Sequence, residues 1–430
     1  LDPGKFGPFG NVEGAFLETM MKRSILFAAL SGAVLSSALI GPVQFEAKPR
    51  AVAVGTFPQI AVRVTGDVSL LKVEGGDLWY LNSPDGGDSF PGRVRVNDAA
   101  HEVVAHGENI PILILRSMRE LYVLWQGKSG AQHGSVLRLS HSTDWGLTFS
   151  KPIPVDTGSD SQGFYTMNVS PKGTVYVAWL DGRERGGEGA GVYLARSTDR
   201  GGSFEKSVRV SSSVCPCCRP SITFGDGETV YISWRGVSHG DVRDIQVAAS
   251  PDGGATWSKP AGVAEDNWHL NACPHSGAAL AMLGKRLFVG WHTIREGTSQ
   301  LYLAWSDDGG RTFSPRTNLR GDVLDANHPM LVKHGDKIGV VFQGRDPRDS
   351  QGWGKQNAYY REIDAQGKLS PLVNAGHLEG SVNYPELLYE EPDKVFVTWH
   401  ETSGEQPRVV MIRGRFSGSL PAAGGKGHAN

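Results

Sequence analysis

Short runs in which apolar and polar residues alternate recur along most of the chain, as in Val192-Tyr-Leu-Ala-Arg-Ser197 and Leu301-Tyr-Leu-Ala-Trp-Ser306. Alternation of this kind marks strands with one face on a core. Many of these runs lead into one eight-residue pattern, Ser-x-Asp-x-Gly-x-(Ser/Thr)-(Phe/Trp). It occurs at Ser83 to Phe90, Ser142 to Phe149, Ser197 to Phe204, Ser250 to Trp257 and Ser306 to Phe313, with a fainter copy at Ile363 to Gly367. The pattern predicts a turn: the Asp carboxylate accepts turn amides, Gly takes the left-handed conformation and the aromatic packs inward. Chemistry repeated identically in every unit suits architecture, so these aspartates are expected to be structural.

A second periodic feature lies upstream of each box. Strands open at Phe57-Pro58, Ile110-Pro111, Tyr165-Thr166, Arg219-Pro220, His275-Ser276, His328-Pro329 and Tyr384-Pro385, at spacings of 53, 55, 54, 56, 53 and 56 residues. A second strand follows each opening and usually ends in an aromatic, as at Trp125, Trp179, Trp234, Trp291, Phe342 and Trp399. These aromatics are expected to pack between units. A third strand enters the box and a fourth leaves it, so each unit is a four-stranded antiparallel sheet. A radial array of such sheets is an all-β propeller, here seven-bladed, with six blades as the alternative. The seventh unit shows three strands, and Ala51–Val54 can supply its fourth, joining the chain ends and removing exposed edges.

Composition agrees with many short strands joined by tight turns: 56 of 430 residues are glycine, roughly twice the usual share of about 7%. A net charge of -2 excludes a nucleic-acid binder driven by bulk positive charge. The only long apolar run, Ile25 to Ala38, follows Met20-Met21-Lys22-Arg23 and has the form of a signal peptide. Residues 1–19 are expected to be an upstream extension of the reading frame, 20–47 a leader cut after Ala38 or Ala47, 50–417 the propeller, and 418–430 a disordered tail. The mature protein is expected in the periplasm or secreted, without membrane insertion.

The five boxes resemble the Asp-box, or BNR, repeats of the sialidase superfamily, over about residues 50 to 417. That resemblance implies a propeller and a site on the face opposite the boxes, where strand openings meet second-strand ends. The openings place Arg219, His275, His328 and Tyr384 there, and the second-strand ends add Asp181, Arg183, Arg235, His292, Arg345, His400 and Glu401. For a sialidase-like hydrolase of acidic sugars, the resemblance implies Tyr384 as nucleophile, Glu386 as its base and Arg219 on the sugar carboxylate. The family's Arg-Ile-Pro opening reads Phe57-Pro58-Gln59-Ile60 here, and blades five and six open with histidine, so ligand binding without sialidase activity is the preferred expectation.

All four cysteines fall at the openings of blades four and five, in Cys215-Pro-Cys217-Cys218-Arg219 and Cys273-Pro-His275. Disulfides among Cys215, Cys217, Cys218 and Cys273 are one expectation for an exported chain. A copper or zinc site of Cys217, Cys218, Cys273 and His275 is the other. The candidate partners are thus a small molecule, a glycan or a metal ion, with a docked protein as a third possibility for the rim.

Overall fold

A computed structural model describes residues 42–417, apart from 131–133, 184–189, 296, 350–353, 391–392 and 405. The expected upstream extension, most of the leader and the tail lie outside the described residues. Val43–Phe416 forms one compact unit of seven antiparallel sheets and, among the described residues, no helix. The blades begin with innermost strands Thr56–Val62, Ile112–Leu115, Gln162–Val169, Ser221–Phe224, Ala279–Leu283, Leu324–His334 and Asn383–Glu390. Each innermost strand contacts those of both neighbouring blades, and the ring closes between blades seven and one. Closure uses the expected device: Arg50–Val54 pairs with Gln406–Phe416 of blade seven. Val43–Phe45, inside the stretch assigned to the leader, adds a fifth strand to the same sheet, pairing with Gly414–Phe416.

The two sequence periodicities are two sides of one structural feature. In blades one, six and seven the opening dipeptide lies in a β-bulge, with two residues opposite one, and in blade three the bulge holds Phe164-Tyr165, one residue earlier than the opening read from the sequence. In blades three, six and seven the single residue opposite the bulge is the recurrent aromatic, Trp179, Phe342 or Trp399. Trp125, Trp179, Trp234, Trp291 and Trp399 are fully buried, as inter-blade packing requires. Burial of such side chains contributes about 1.5–3 kcal/mol each.

The Asp boxes form the expected turns. In the second blade, Asp144 accepts the Ser142 hydroxyl at 2.8 Å, the Thr148 amide at 3.0 Å and the Thr148 hydroxyl at 2.6 Å, while Gly146 N donates to Ser142 Oγ at 2.9 Å. Gly146 has φ +85°, and a Cβ there would sit 2.2 Å from the Tyr80 ring of blade one. Only glycine meets both demands. Phe149, the box aromatic, meets the same Tyr80 edge-on at 5.4 Å. The box is therefore a wedge between neighbouring blades. Asp364 in the fainter copy keeps the two amide bonds, from Gln366 and Lys368, at 2.9 Å each.

Candidate functional site

The start of each innermost strand pairs with the end of the second, as in Gln162 with Asp181 and Asn383 with His400, whereas the box ends pair with second-strand starts, as in Ser197 with Val175. The boxes and the strand openings therefore lie on opposite faces. On the opening face, five non-glycine residues adopt left-handed backbone at or beside the openings: Phe57 (φ 49°), Phe164 (48°), His275 (48°), His328 (51°) and Tyr384 (50°). For bulky side chains this conformation is disfavoured and persists only where the surroundings enforce it, typically at functional sites. All five are half-buried and share the rim of the central channel. Phe57 lies 5.8 Å from Tyr384 and 4.7 Å from His400, His328 lies 4.4 Å from Tyr384, and Phe164 lies 6.0 Å from His275, ring to ring.

Blade two departs from the pattern. Its second strand, Leu121–Lys128, pairs with two separate pieces, Val103–Val104 and Ile112–Leu115. Between them, residues 105–111 form an excursion that reaches distant blades. Glu108 there is buried and accepts the Arg219 amide at 2.8 Å and the Gly277 amide at 2.9 and 3.0 Å, while its Oε1 lies 3.7 Å from His328 Nδ1. A Cβ on Gly107 would lie 3.6 Å from His275 Nδ1 and 3.8 Å from the Tyr384 hydroxyl. Asn109 Oδ1 accepts the Phe164 amide. This excursion, His106-Gly-Glu108-Asn109, locks blade two to blades three, four and five across the channel mouth. Glu108 lies just ahead of the Ile110-Pro111 opening, and its one mark in the sequence is the polar run directly before that opening.

The carboxyls of this face are driven apart in acidity. Burial alone would raise Glu108, but His328, the Arg219 charge and the Gly277 amide outweigh it and hold the carboxyl below its usual range. Burial pushes Glu386 up to about 7, although the Arg219 charge and a Gln59 hydrogen bond pull it down. Burial, then the Glu108 charge, push the Tyr384 phenol up to about 12. Arg219 is thus the charge felt by Glu108, Glu386 and Tyr384 together. The residue is half-buried, and no hydrogen bond engages its guanidinium among the described residues. The charge that raises the Tyr384 phenol comes from Glu108.

The other expected rim residues divide into two groups. His400 faces the channel, its Nδ1 accepting the Phe57 amide at 3.3 Å, and burial lowers its pKa to about 4. The rest are engaged by groups of their own or the adjacent blade. Asp181 accepts Trp179 Nε1 at 2.8 Å, the Ser159 hydroxyl at 2.8 Å, and the Arg183 amide and guanidinium at 2.8 and 2.7 Å. Glu401 accepts Trp399 Nε1 at 2.9 Å and the Leu378, Glu379 and Gly380 amides. Both carboxylates clasp the buried tryptophan two residues earlier. Arg235 is spent on the carbonyls of Arg243, Ser276 and His292, and Arg345 on Asp325. His292 Nε2 pairs with Ser299 at 3.1 Å, and burial lowers its pKa to about 3.

The cysteines fall into two groups that share Cys217, so Cys218 lies apart from the group that holds Cys273 and His275. Cys215, Cys217 and Cys218 are buried thiols, with Cys215 Sγ 3.5 Å from Cys217 Sγ and 3.6 Å from Cys218 Sγ. Cys273, which is exposed, groups with Cys217 and His275, their donor atoms all within 4.8 Å of one another. A cavity of about 830 Å³ opens at the other end of the innermost strands, beside Val169, Phe224, Met282 and Val332, away from these groups.

Among solved structures, a protein of unknown function from Dyadobacter fermentans is similar at 16% identity and a TM-score of 0.51, over 87% of this chain and 99% of its own. An ulvan lyase of polysaccharide lyase family PL25, bound to -[GlcA(1-4)Rha3S]-, is similar at 9% identity and a TM-score of 0.56, over 85% of this chain and 95% of its own. At these identities the likeness is one of fold. No match to a curated protein was found. The BNR repeat-like domain family matches residues 93–397, more than half of the chain, and the chain belongs to that family.

Proposed function

We propose that the channel mouth on the opening face binds an acidic saccharide, with Arg219 as receptor for its carboxylate or sulfate. The observation that carries this is Arg219 itself: a half-buried residue whose charge is felt by three ionisable neighbours and whose guanidinium has no hydrogen-bond partner among the described residues. A guanidinium fork matches planar anions with two parallel bonds. Phe57, Phe164, Tyr384 and His400 supply ring faces around it, which suit sugar rings. The ulvan lyase of like fold, solved with a glucuronate-containing ligand, adds support. In the cell, this function belongs to an exported protein.

Calorimetric titration with uronic-acid oligosaccharides, against neutral oligosaccharides of equal length, tests it. Saturable binding of the acidic series alone is expected, weakened about 10- to 100-fold in Arg219→Ala, the range for losing a charged hydrogen-bond pair. Binding that is indifferent to ligand charge or to Arg219 refutes the proposal.

Cleavage is a second reading, favoured by one observation. Two carboxyls of one site with acidities pushed apart, Glu386 upward and Glu108 downward, are the usual arrangement of an acid and an ionised partner in glycoside chemistry. Turnover of a panel of acidic glycosides, lost in Glu386→Gln with binding retained, would establish it; absence of turnover on the panel leaves a binding protein.

A further inference from the structure

The Cys/His cluster stands beside the saccharide site and takes no part in that function: Cys215, Cys217 and Cys218 pack as small buried side chains against Phe164 and Val237, whereas Cys273 is exposed. Three cysteine sulfurs are buried together, and one of them, Cys215, receives Arg243 Nη1 at 3.0 Å. An arginine donating to sulfur stabilises thiolate, the form that binds metal. The sulfur separations of 3.5 and 3.6 Å are close to the edge of a tetrahedron around a zinc ion with bonds of about 2.3 Å, roughly 3.8 Å.

Cys217 also belongs to the second group, with Cys273 and His275. His275 Nδ1 is buried without a hydrogen-bond partner, and the residue is held in left-handed backbone. A buried ring nitrogen left unsatisfied, on a residue held at a backbone cost, is open to a metal ion. Two thiolates and an imidazole form a donor set for a soft d¹⁰ ion. We propose that Cys217, Cys273 and His275 bind one thiophilic cation, zinc or copper(I), with the Cys215/Cys218 pair beside it as the reserve of further thiolate ligands.

The ion would tie the opening of blade four to that of blade five, through segments that run directly into Arg219 and His275. It is a cross-link between blades at the point where the two openings meet Glu108. Its ligands come from two places about 56 residues apart in a chain whose other openings carry no cysteine.

The test uses the whole exported protein, purified without chelator. Elemental analysis is expected to give one zinc or copper per chain, which element distinguishing the two ions, and thiol titration of the unfolded, metal-stripped protein four free thiols. Cys273→Ser should lower the metal content at least fivefold and, because Cys273 is exposed, leave the circular dichroism unchanged. His275→Ala should do the same, whereas His269→Ala should retain the ion, since His269 Nδ1 is bound to the Gly240 carbonyl 2.9 Å away. Cobalt(II) added to stripped protein under reducing conditions should give a thiolate-to-cobalt absorption band that Cys217→Ser abolishes. Protein that carries no ion and fails to take up cobalt, protein whose thiols are joined in disulfides, or metal content unmoved by Cys273→Ser would each overturn the proposal.

Discussion

The two faces of the propeller are built from the same repeat and have opposite characters. On the box face, Asp85, Asp144, Asp199, Asp252 and Asp308 make the same bonds in blade after blade, each accepting a Ser or Thr hydroxyl and the amide beside it. On the opening face the residues vary from blade to blade: Phe57, the 105–111 excursion, Phe164, Arg219, His275, His328 and Tyr384 occupy corresponding places, with only blades five and six sharing a residue type. Repetition tells of architecture, since a turn has to be made in every blade. Variation at a structurally repeated place tells of a ligand, since one molecule at the axis touches every blade differently. The contrast extends to satisfaction of polar groups. Box carboxylates are saturated, whereas His275 Nδ1 and the Arg219 guanidinium have no hydrogen-bond partner among the described residues.

Substitutions on the two faces should separate accordingly. The largest effect is expected from Glu108→Ala, which strips buried amides at Arg219 and Gly277 of their acceptor and leaves His328 without its carboxylate. A loss of about 3–5 kcal/mol in denaturant unfolding, together with lost saccharide binding, is expected. An effect under about 1 kcal/mol would show that the excursion is not a lock.

Glu386→Gln should act through pH. The folded pKa of Glu386, about 7, lies above that of an unfolded glutamate, about 4.5, so the native state holds the proton longer. Wild-type stability should therefore fall as pH rises from about 4.5 to 7, by on the order of 3 kcal/mol, relative to the glutamine variant, and the difference should level off above pH 7. His292 and His400, whose pKa values are lowered to about 3 and about 4, act in the opposite sense: stability falls as pH drops below about 6.5 and these sites must accept protons. Both proteins share that loss, so the difference between their pH profiles isolates Glu386.

The smallest effect is expected on the box face. Asp144→Ala removes the bonds to Ser142 and Thr148 at a partly exposed turn, which predicts about 1 kcal/mol lost in unfolding and no change in saccharide affinity. A change in affinity there would erase the division between the faces.

Most of the fold was legible because it is repeated: seven openings at nearly constant spacing specify seven blades, and Ala51–Val54 was recognisable as the missing strand. The site was legible only in part. Arg219, His275, His328 and Tyr384 came from their place in the period. Glu108 did not, because it lies in an excursion with no counterpart in the other blades. The left-handed backbone of Phe57, Phe164 and Tyr384 leaves no mark on residue type, since bulky residues are the last expected there. Asp181 and Glu401 read as free rim carboxylates, yet Trp-x-Asp and Trp-x-Glu place indole and carboxylate on one side of a strand, where they bond to each other.

The division between the faces meets its most direct test in a crystal structure of the protein with a bound uronic-acid oligosaccharide. Density for a carboxylate on the Arg219 guanidinium, with a sugar ring against Phe57 or Tyr384, is the result predicted. Ligand seated instead in the cavity beside Val169, Phe224 and Met282 at the box end of the channel, with Arg219 untouched, would contradict it.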